Sequence, residues 1–156
     1  MAYKIKHKGL ELNWLRKLDK SLSLPEIVIL EHEDPYNYRA GYVRPSNDHY
    51  LYENIVVNSL NGIIKICEHY INCQNTIAHE FRHAWQAYNT NLLKIQPSST
   101  LWNSLPGSWE NKIIEYYKQR ECELDAFLFA YNKFHKSSEY EMQLLCNNNV
   151  INYKEI

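Results

Sequence analysis

His79-Glu80-Phe81-Arg82-His83 is the most informative stretch of this chain, because it places two histidines four positions apart. Residues four positions apart lie on the same face of an α-helix, so His79 and His83 can direct two imidazoles at one metal ion. Glu80 directly follows the first histidine. There its carboxylate can accept a proton from a water molecule on the metal instead of binding the metal itself. The pentapeptide therefore predicts a metal site on a helix.

The residues around the pentapeptide predict a helix with one buried side. Asn75 and Thr76 are candidate N-caps, and the polar run that starts at Asn89 marks the end of the helix. The apolar residues recur at the spacing of one helical stripe, namely Ile77, Phe81, Ala84, Trp85 and Tyr88. We therefore predict a helix from about Asn75 to Asn89. Its apolar side is anchored in the core while the histidines face a cleft.

A second acidic motif can supply a third ligand, which catalytic zinc normally requires beside one open position. The stretch from about Trp109 to His135 has apolar residues at helical spacing and predicts a second long helix. On it, Glu121 and Asp125 share a face, so Glu121 could bind the metal and Asp125 could accept the outer N–H of a ligating histidine. Glu123 points about 160° away from Glu121, so only one of these two glutamates can face the metal.

With both motifs, the chain resembles the gluzincin class of zinc metallopeptidases. The sequence HEFRH followed by E-x-E-x-D-A-F at Glu121–Phe127 is similar to the minimal gluzincins and to ImmA/IrrE-type peptidases, over roughly residues 52–134. Many relatives carry a glycine where this chain has Arg82, so a bulky cation is expected near the site. The roles that the resemblance implies are Zn²⁺ binding by His79, His83 and Glu121, general-base catalysis by Glu80, and support of a ligand histidine by Asp125.

The resemblance implies a zinc metalloendopeptidase that hydrolyses peptide bonds. Zinc would activate a bound water, and Glu80 would carry its proton to the leaving amine. In gluzincins an extended peptide or protein substrate pairs with the edge strand nearest the motif helix, and Ile63–His69 is the candidate for that strand here. A tyrosine, histidine or arginine should stabilise the oxyanion. Tyr131 and His135 follow Asp125 at suitable distances, although residues of these types are more often structural.

Two other classes of function stay open. A zinc-binding interaction or regulatory module could keep the site while its cleft is catalytically silent or blocked, with Cys146 or the tail Val150–Ile156 as the blocking group. In a metal-free structural or host-interaction protein, HEFRH would be a coincidence on an amphipathic helix. Metal analysis of the purified chain separates this last class from the other two.

Composition and charge predict one globular domain. The chain has 156 residues, of which 45% are hydrophobic, and a net charge of −1, so we expect a single zincin-like domain over residues 1–156. The near-neutral charge argues against nucleic acid as the main partner, because phosphate binding needs a basic excess. The abundance of Asn, Ile, Lys and Tyr is typical of an AT-rich genome, such as that of a virus or phage.

The sequence also bears on location. No stretch approaches the roughly eighteen apolar residues of a membrane span, and no apolar signal-peptide region follows the charged N-terminus. The cysteines form no CxxC pair, which favours reduced thiols. They are Cys67, Cys73, Cys122 and Cys146. We therefore expect a cytoplasmic location and no membrane partner.

The remaining segments predict an α+β, zincin-like fold, with a small mixed sheet of about four strands packed on the two helices. Helical spacing predicts a first helix over Gly9–Leu22, and a capping-box pattern predicts a last short helix from Ser138 to about Leu145. Runs rich in β-branched residues predict strands at Glu26–Leu30 and Ala40–Arg44.

Two connections are also predicted. Asn61-Gly62 between two β-rich runs predicts a hairpin of Tyr50–Asn58 with Ile63–His69. A short helix over Ile63–Ile71 fits the apolar spacing as well. The stretch Leu93–Gly107, which is rich in proline and serine, predicts a loop without an element of its own.

Overall fold

The structure is a computed structural model that describes residues 4–8, 26–31, 40–52, 55–67, 70, 73–93, 101–134 and 139–152. These residues form a mixed α+β fold, and six strands and five helices lie within them. The mixed class expected from the sequence is therefore confirmed. The helix predicted over Gly9–Leu22 lies outside the described residues.

Four strands form a mixed sheet. Their order across the sheet is β1 (Lys4–Lys8), β2 (Glu26–Glu31), β6 (Ile63–Cys67) and β3 (Ala40–Val43). β2 runs parallel to β6, whereas the two outer pairs are antiparallel. Because β6 has hydrogen-bonded neighbours on both sides, it does not offer the edge that strand addition at Ile63–His69 requires. Among the described strands of this sheet, β1 and β3 are at the edges.

The hairpin predicted across Asn61-Gly62 is wrong. β4 (His49–Tyr52) pairs with β5 (Ile55–Asn58) in a separate antiparallel sheet, and the turn at Asn61-Gly62 leads from that sheet into β6. The turn chemistry was recognised correctly, since Gly62 has a φ of +86°. What the sequence could not show is that the next strand pairs elsewhere. Ile63–Cys67 is nevertheless a strand, as favoured over the helical alternative.

The motif helix is confirmed as α1 (Gln74–Asn89). Its N-cap is Cys73, without a side-chain capping bond, so the predicted caps Asn75 and Thr76 lie inside the first turn. Of the predicted apolar stripe, the first three residues are buried and Trp85 is partly buried. Tyr88 is exposed, so the stripe ends one turn earlier than predicted.

The single long helix predicted from Trp109 to His135 is wrong. The chain forms α3 (Trp109–Gln119) and α4 (Glu121–Phe134), which are separated at Arg120, an extended residue with φ −126° and ψ 90°. The predicted loop Leu93–Gly107 also contains a short helix, α2 (Leu101–Ser104). The last helix, α5 (Glu139–Asn147), is close to its predicted bounds. No helix in the described residues is both long and apolar enough to cross a membrane.

Two apolar clusters hold these elements together. The first joins the sheet to α1 through Ile64, Ile66, Ile77, Phe81 and Ala84. The second joins α3, α4 and α5 through Ile113, Tyr117, Phe127, Met142, Leu145, Cys146 and Ile151. α1 and α4 lie antiparallel, because Asn75 near the start of α1 donates to the carbonyl oxygen of Phe134 (3.0 Å) while Gln86 near its end donates to that of Cys122 (2.8 Å). The proposed site lies between this pair of helices.

Candidate metal centre

Both histidines of the motif lie on the side of α1 that faces α4. Their ring centroids are 5.1 Å apart and the rings are nearly perpendicular. His83 is buried, whereas His79 is partly exposed. Together with Glu80, they bring three ligand-type atoms within 4.8 Å of one another. The helix therefore gathers the motif as its spacing predicts.

The carboxylate that contacts both imidazoles belongs to Glu123. Its Oε2 lies 2.9 Å from Nε2 of His79, and its Oε1 lies 3.3 Å from Nε2 of His83. Glu121, the third ligand implied by the resemblance, is exposed. The structure thus brings Glu123, and not Glu121, to the histidines.

The position of Glu123 follows from the buried side of α4. Ala126, Phe127 and Ala130 are buried, and they stand three, four and seven residues after Glu123. This is the spacing of one helical stripe, so Glu123 lies beside the residues that pack inward while Glu121 lies away from them. This spacing is visible in the sequence and could have identified Glu123. The shared face of Glu121 and Asp125, which favoured Glu121, carries no such information about burial.

Glu80 is buried beside the histidines. Burial raises the pKa of its carboxyl above the ordinary value, against the opposing charges of His83 and His79. The charge of Lys65 on β6 also acts to lower the pKa of Glu80, while burial lowers the pKa of Lys65 itself. A carboxylate whose pKa moves towards neutrality is better matched to proton transfer near pH 7 than an ordinary glutamate.

The charges of His83 and Glu123 are tightly coupled. Burial alone would lower the pKa of His83, but its hydrogen bond to Glu123 and the charges of Glu123 and Glu80 raise that pKa to about 9. Burial would likewise raise the pKa of Glu123, but hydrogen bonds from His79 and His83 hold it well below the ordinary value. In the metal-free protein, a proton on the imidazole therefore occupies the space between the nitrogen and the carboxylate.

Asp125 is close to the site but does not contact a histidine in the way the resemblance implies. Its Oδ2 accepts hydrogen bonds from Nε of Arg82 (2.8 Å) and Nε2 of Gln86 (2.7 Å). The group that contacts Nδ1 of His83 is instead Oε1 of Gln86, at 2.8 Å. Asp125 thus acts on His83 through Gln86, which the sequence analysis did not single out.

The cation expected near the site is held away from the metal ligands. Besides its pair with Asp125, the guanidinium of Arg82 lies over the ring of Trp85, 3.6 Å from the centroid, and faces Phe129 at 4.9 Å. Arg82 therefore bridges α1 and α4 as a structural ion pair. A second cation, Arg120, places Nη2 3.9 Å from Oε1 of Glu123.

The donor types at the site, two imidazoles and a carboxylate, are among those that bind zinc and other transition metals. Zinc binds nitrogen and oxygen ligands at about 2.0–2.2 Å with tetrahedral angles, which separates two ligand atoms by roughly 3.3 Å. Each imidazole nitrogen lies near that distance from a different oxygen of Glu123: Nε2 of His79 is 2.9 Å from Oε2, and Nε2 of His83 is 3.3 Å from Oε1. Cys122 belongs to a second group, in which its sulfur lies within 4.8 Å of ligand-type atoms of His83 and Glu123.

A cleft of about 350 Å³ opens beside the site. His79, Glu80 and Glu123 line it, together with the aromatic rings of Tyr70 and Tyr117. Tyr131, one of the candidates named from the sequence, does not line this cleft.

The other residues considered from the sequence lie elsewhere or outside the described part. The hydroxyl of Tyr131 donates to Glu139 (3.0 Å), and His135 is not among the described residues. Cys146 and Ile151 are buried in the cluster of α3, α4 and α5, so the described part of the tail packs there and does not line the cleft. Residues 153–156 lie outside the described residues.

A comparison of the chain with protein-family models, with curated proteins and with solved structures finds no match in any of the three. A function for this chain therefore has to be argued from its own residues and their geometry.

Proposed function

We propose that this chain is a zinc-dependent metallopeptidase whose ion is held by His79, His83 and Glu123. The observation that carries the proposal is the carboxylate of Glu123, which lies within 3.3 Å of a nitrogen of each motif histidine. Two imidazoles and one carboxylate are a ligand set of catalytic zinc sites, where the fourth position stays open to water or substrate. When bound, the ion supplies a Lewis acid that polarises a carbonyl oxygen and acidifies water.

Glu80 is the general base in this proposal. It lines the cleft next to His79, so a water in the cleft is within its reach. In this position its carboxylate can accept a proton from that water and return it to the leaving amine.

A peptide is the substrate class that the surroundings favour. β3 is an edge strand among the described strands, and Tyr42 on it stacks on His83 with 6.3 Å between ring centroids. Because Tyr42 contacts His83, an extended peptide that paired with β3 would run close to the proposed site. Backbone pairing at the edge of a sheet needs no particular side chains. This edge takes the role that Ile63–His69 has in the sequence-based expectation.

The test combines metal analysis with one conservative substitution. We expect the purified protein to bind about one zinc per chain and to cleave an unstructured protein such as casein, with cleavage lost on chelation. Glu80→Gln should keep zinc and lose at least about 100-fold in cleavage rate, because general-base catalysis contributes about that much or more. Glu115→Gln, a substitution of an exposed glutamate on α3, is the matched control and should cleave normally.

The outcomes separate the classes of function. Absence of zinc from protein refolded with excess zinc would overturn the proposal. Zinc binding without cleavage of any tested peptide would favour an interaction or regulatory module. Unchanged cleavage by Glu80→Gln would refute the assigned base.

A further inference from the structure

Gln86 is a buried glutamine whose side-chain amide is hydrogen-bonded at both ends. It lies three residues after His83 on α1 and has no exposed surface. Its Oε1 lies 2.8 Å from Nδ1 of His83. Its Nε2 donates to the backbone oxygen of Cys122 (2.8 Å) and to Oδ2 of Asp125 (2.7 Å). A buried polar side chain with three partners at these distances is a fixed part of the structure.

These partners determine which way the amide points. The carbonyl of Cys122 and the carboxylate of Asp125 can only accept hydrogen bonds, so the NH₂ group of Gln86 must face them. A flipped amide would set its oxygen against two other oxygens. Oε1 therefore faces His83, and because an amide oxygen can only accept, Nδ1 of His83 must carry a proton.

We propose that Gln86 is a positioning residue that holds His83 in the form protonated at Nδ1, so that Nε2 is the nitrogen that binds the metal. This inference rests on the proposed zinc site. Neutral imidazole has one proton and one lone pair, so a fixed proton on Nδ1 leaves the lone pair on Nε2. Nε2 is also the nitrogen that faces Glu123.

Arg82 and Asp125 help to fix the orientation of Gln86. The guanidinium of Arg82 holds both oxygens of Asp125, at 2.8 Å and 3.3 Å, and stacks on Trp85. This fixes the carboxylate that in turn fixes the amide of Gln86. Arg82 thereby anchors the chain of contacts that ends at His83.

Gln86→Met tests this role by removing both hydrogen-bonding groups while keeping the length of the side chain. We expect zinc affinity, measured by competition with a chelator, to fall by about 10–100-fold, as is typical when the hydrogen-bond partner of a ligand histidine is removed. Gln119→Met, at the exposed end of α3, is the matched control and should bind zinc as tightly as the unmodified protein. Unchanged zinc affinity in a folded Gln86→Met protein would overturn the inference.

Nitrogen NMR of the histidine rings gives a second readout that a merely structural role would not change. In the zinc-loaded unmodified protein, we expect His83 to show metal-bound Nε2 and a slowly exchanging proton on Nδ1, whereas Gln86→Met should lose that slow exchange. Zinc on Nδ1 of His83 would overturn the inference.

The inference and the proposed function can fail separately. If the unmodified protein bound no zinc, the proposed function would fail, but the Nδ1 proton could still be measured in the metal-free protein. Slow exchange of that proton, lost in Gln86→Met, would support the role of Gln86 there. Fast exchange in both proteins would overturn it.

Discussion

His79 and Glu123 stand 44 positions apart in the chain, yet Nε2 of the histidine and Oε2 of the glutamate are 2.9 Å apart. The contact joins α1 to α4, and Glu123 extends it to His83 with its other oxygen. One carboxylate thus spans two imidazoles from a different helix. The first prediction follows from this relationship, because removal of that carboxylate should affect both histidines.

Glu123→Gln should weaken zinc binding strongly, whereas Glu121→Gln should leave it unchanged. Loss of a direct ligand should cost more than the about 10–100-fold typical of outer hydrogen-bond partners. Glu121 is exposed, so the same substitution there alters only a surface charge. Chelator competition on both variants measures the difference. The reverse result, with Glu121→Gln the weaker binder, would restore the ligand set that the resemblance implies.

Cys122 should stay outside the metal site, although its sulfur lies close to His83 and Glu123. Burial and the charge of Glu123 raise the pKa of its thiol to about 11, which disfavours the thiolate that a metal needs. With cobalt(II) in place of zinc, we expect no intense thiolate charge-transfer band in the near ultraviolet. The spectrum of Cys122→Ala should match that of the unmodified protein. A strong band that Cys122→Ala removes would contradict the proposed ligand set.

The stability of the metal-free protein should fall as the pH rises from neutral to alkaline. The pKa of His83 is about 9 in the folded protein, compared with 6.5 ordinarily. The imidazolium therefore stabilises the fold fully below about pH 6.5, and this contribution is lost as the pH rises through about 9. This contribution of His83 to the free energy of unfolding is on the order of 3 kcal/mol. On the acid side, the lowered pKa of Glu123 means that its contribution is lost as the pH falls below the ordinary glutamate range.

Urea unfolding in the presence of a chelator, at about pH 6 and about pH 9.5, measures this dependence. His83→Gln should flatten the loss of free energy of unfolding between these two values. His49→Gln, an exposed histidine in β4, should keep the full loss. If His83→Gln retained the same dependence, another group would be responsible for it.

The local pattern of the motif helix was enough to predict it. Ile77, Phe81 and Ala84 recur at helical spacing and are buried, so the two histidines had to share the neighbouring face. The third ligand could also have been found within one helix, because Ala126, Phe127 and Ala130 follow Glu123 at the spacing of a buried stripe. The choice between Glu121 and Glu123 depends on which side of α4 packs against α1, and the chain restarts its helix after the break at Arg120. No pattern within α3 or α4 marks that break with a glycine or proline.

Strand pairing shows the same division between local and long-range information. The residues Asn61-Gly62 predict a turn from their own chemistry, and a turn is present. The partner of β6 depends instead on β2, which is more than 30 residues earlier in the chain and pairs with it in parallel. Parallel pairing leaves no turn signature in the sequence, because the two strands are not joined by a tight connection. The same reasoning applies to Gln86, because two of its three partners, Cys122 and Asp125, lie on α4.

Gly62→Ala should destabilise the protein more than Gly107→Ala. Both glycines have a positive φ, +86° and +95°, so an alanine at either position costs about 1–3 kcal/mol in backbone strain. The added methyl at Gly62 would also lie 2.5 Å from the hydroxyl oxygen of Tyr42, whereas at Gly107 the nearest atom is 3.1 Å away, on the flexible side chain of Asn111. Urea unfolding of the two variants compares these costs.

The effect of Gly62→Ala should also reach the metal site. The ring of Tyr42 cannot keep its place beside a methyl group at position 62, and this ring stacks on His83 with 6.3 Å between centroids. Zinc affinity should therefore fall in Gly62→Ala and stay unchanged in Gly107→Ala, which lies before α3. Equal losses of stability in the two variants would show that Tyr42 moves away from the added methyl group without cost. Unchanged zinc affinity in Gly62→Ala would show that this movement does not disturb His83.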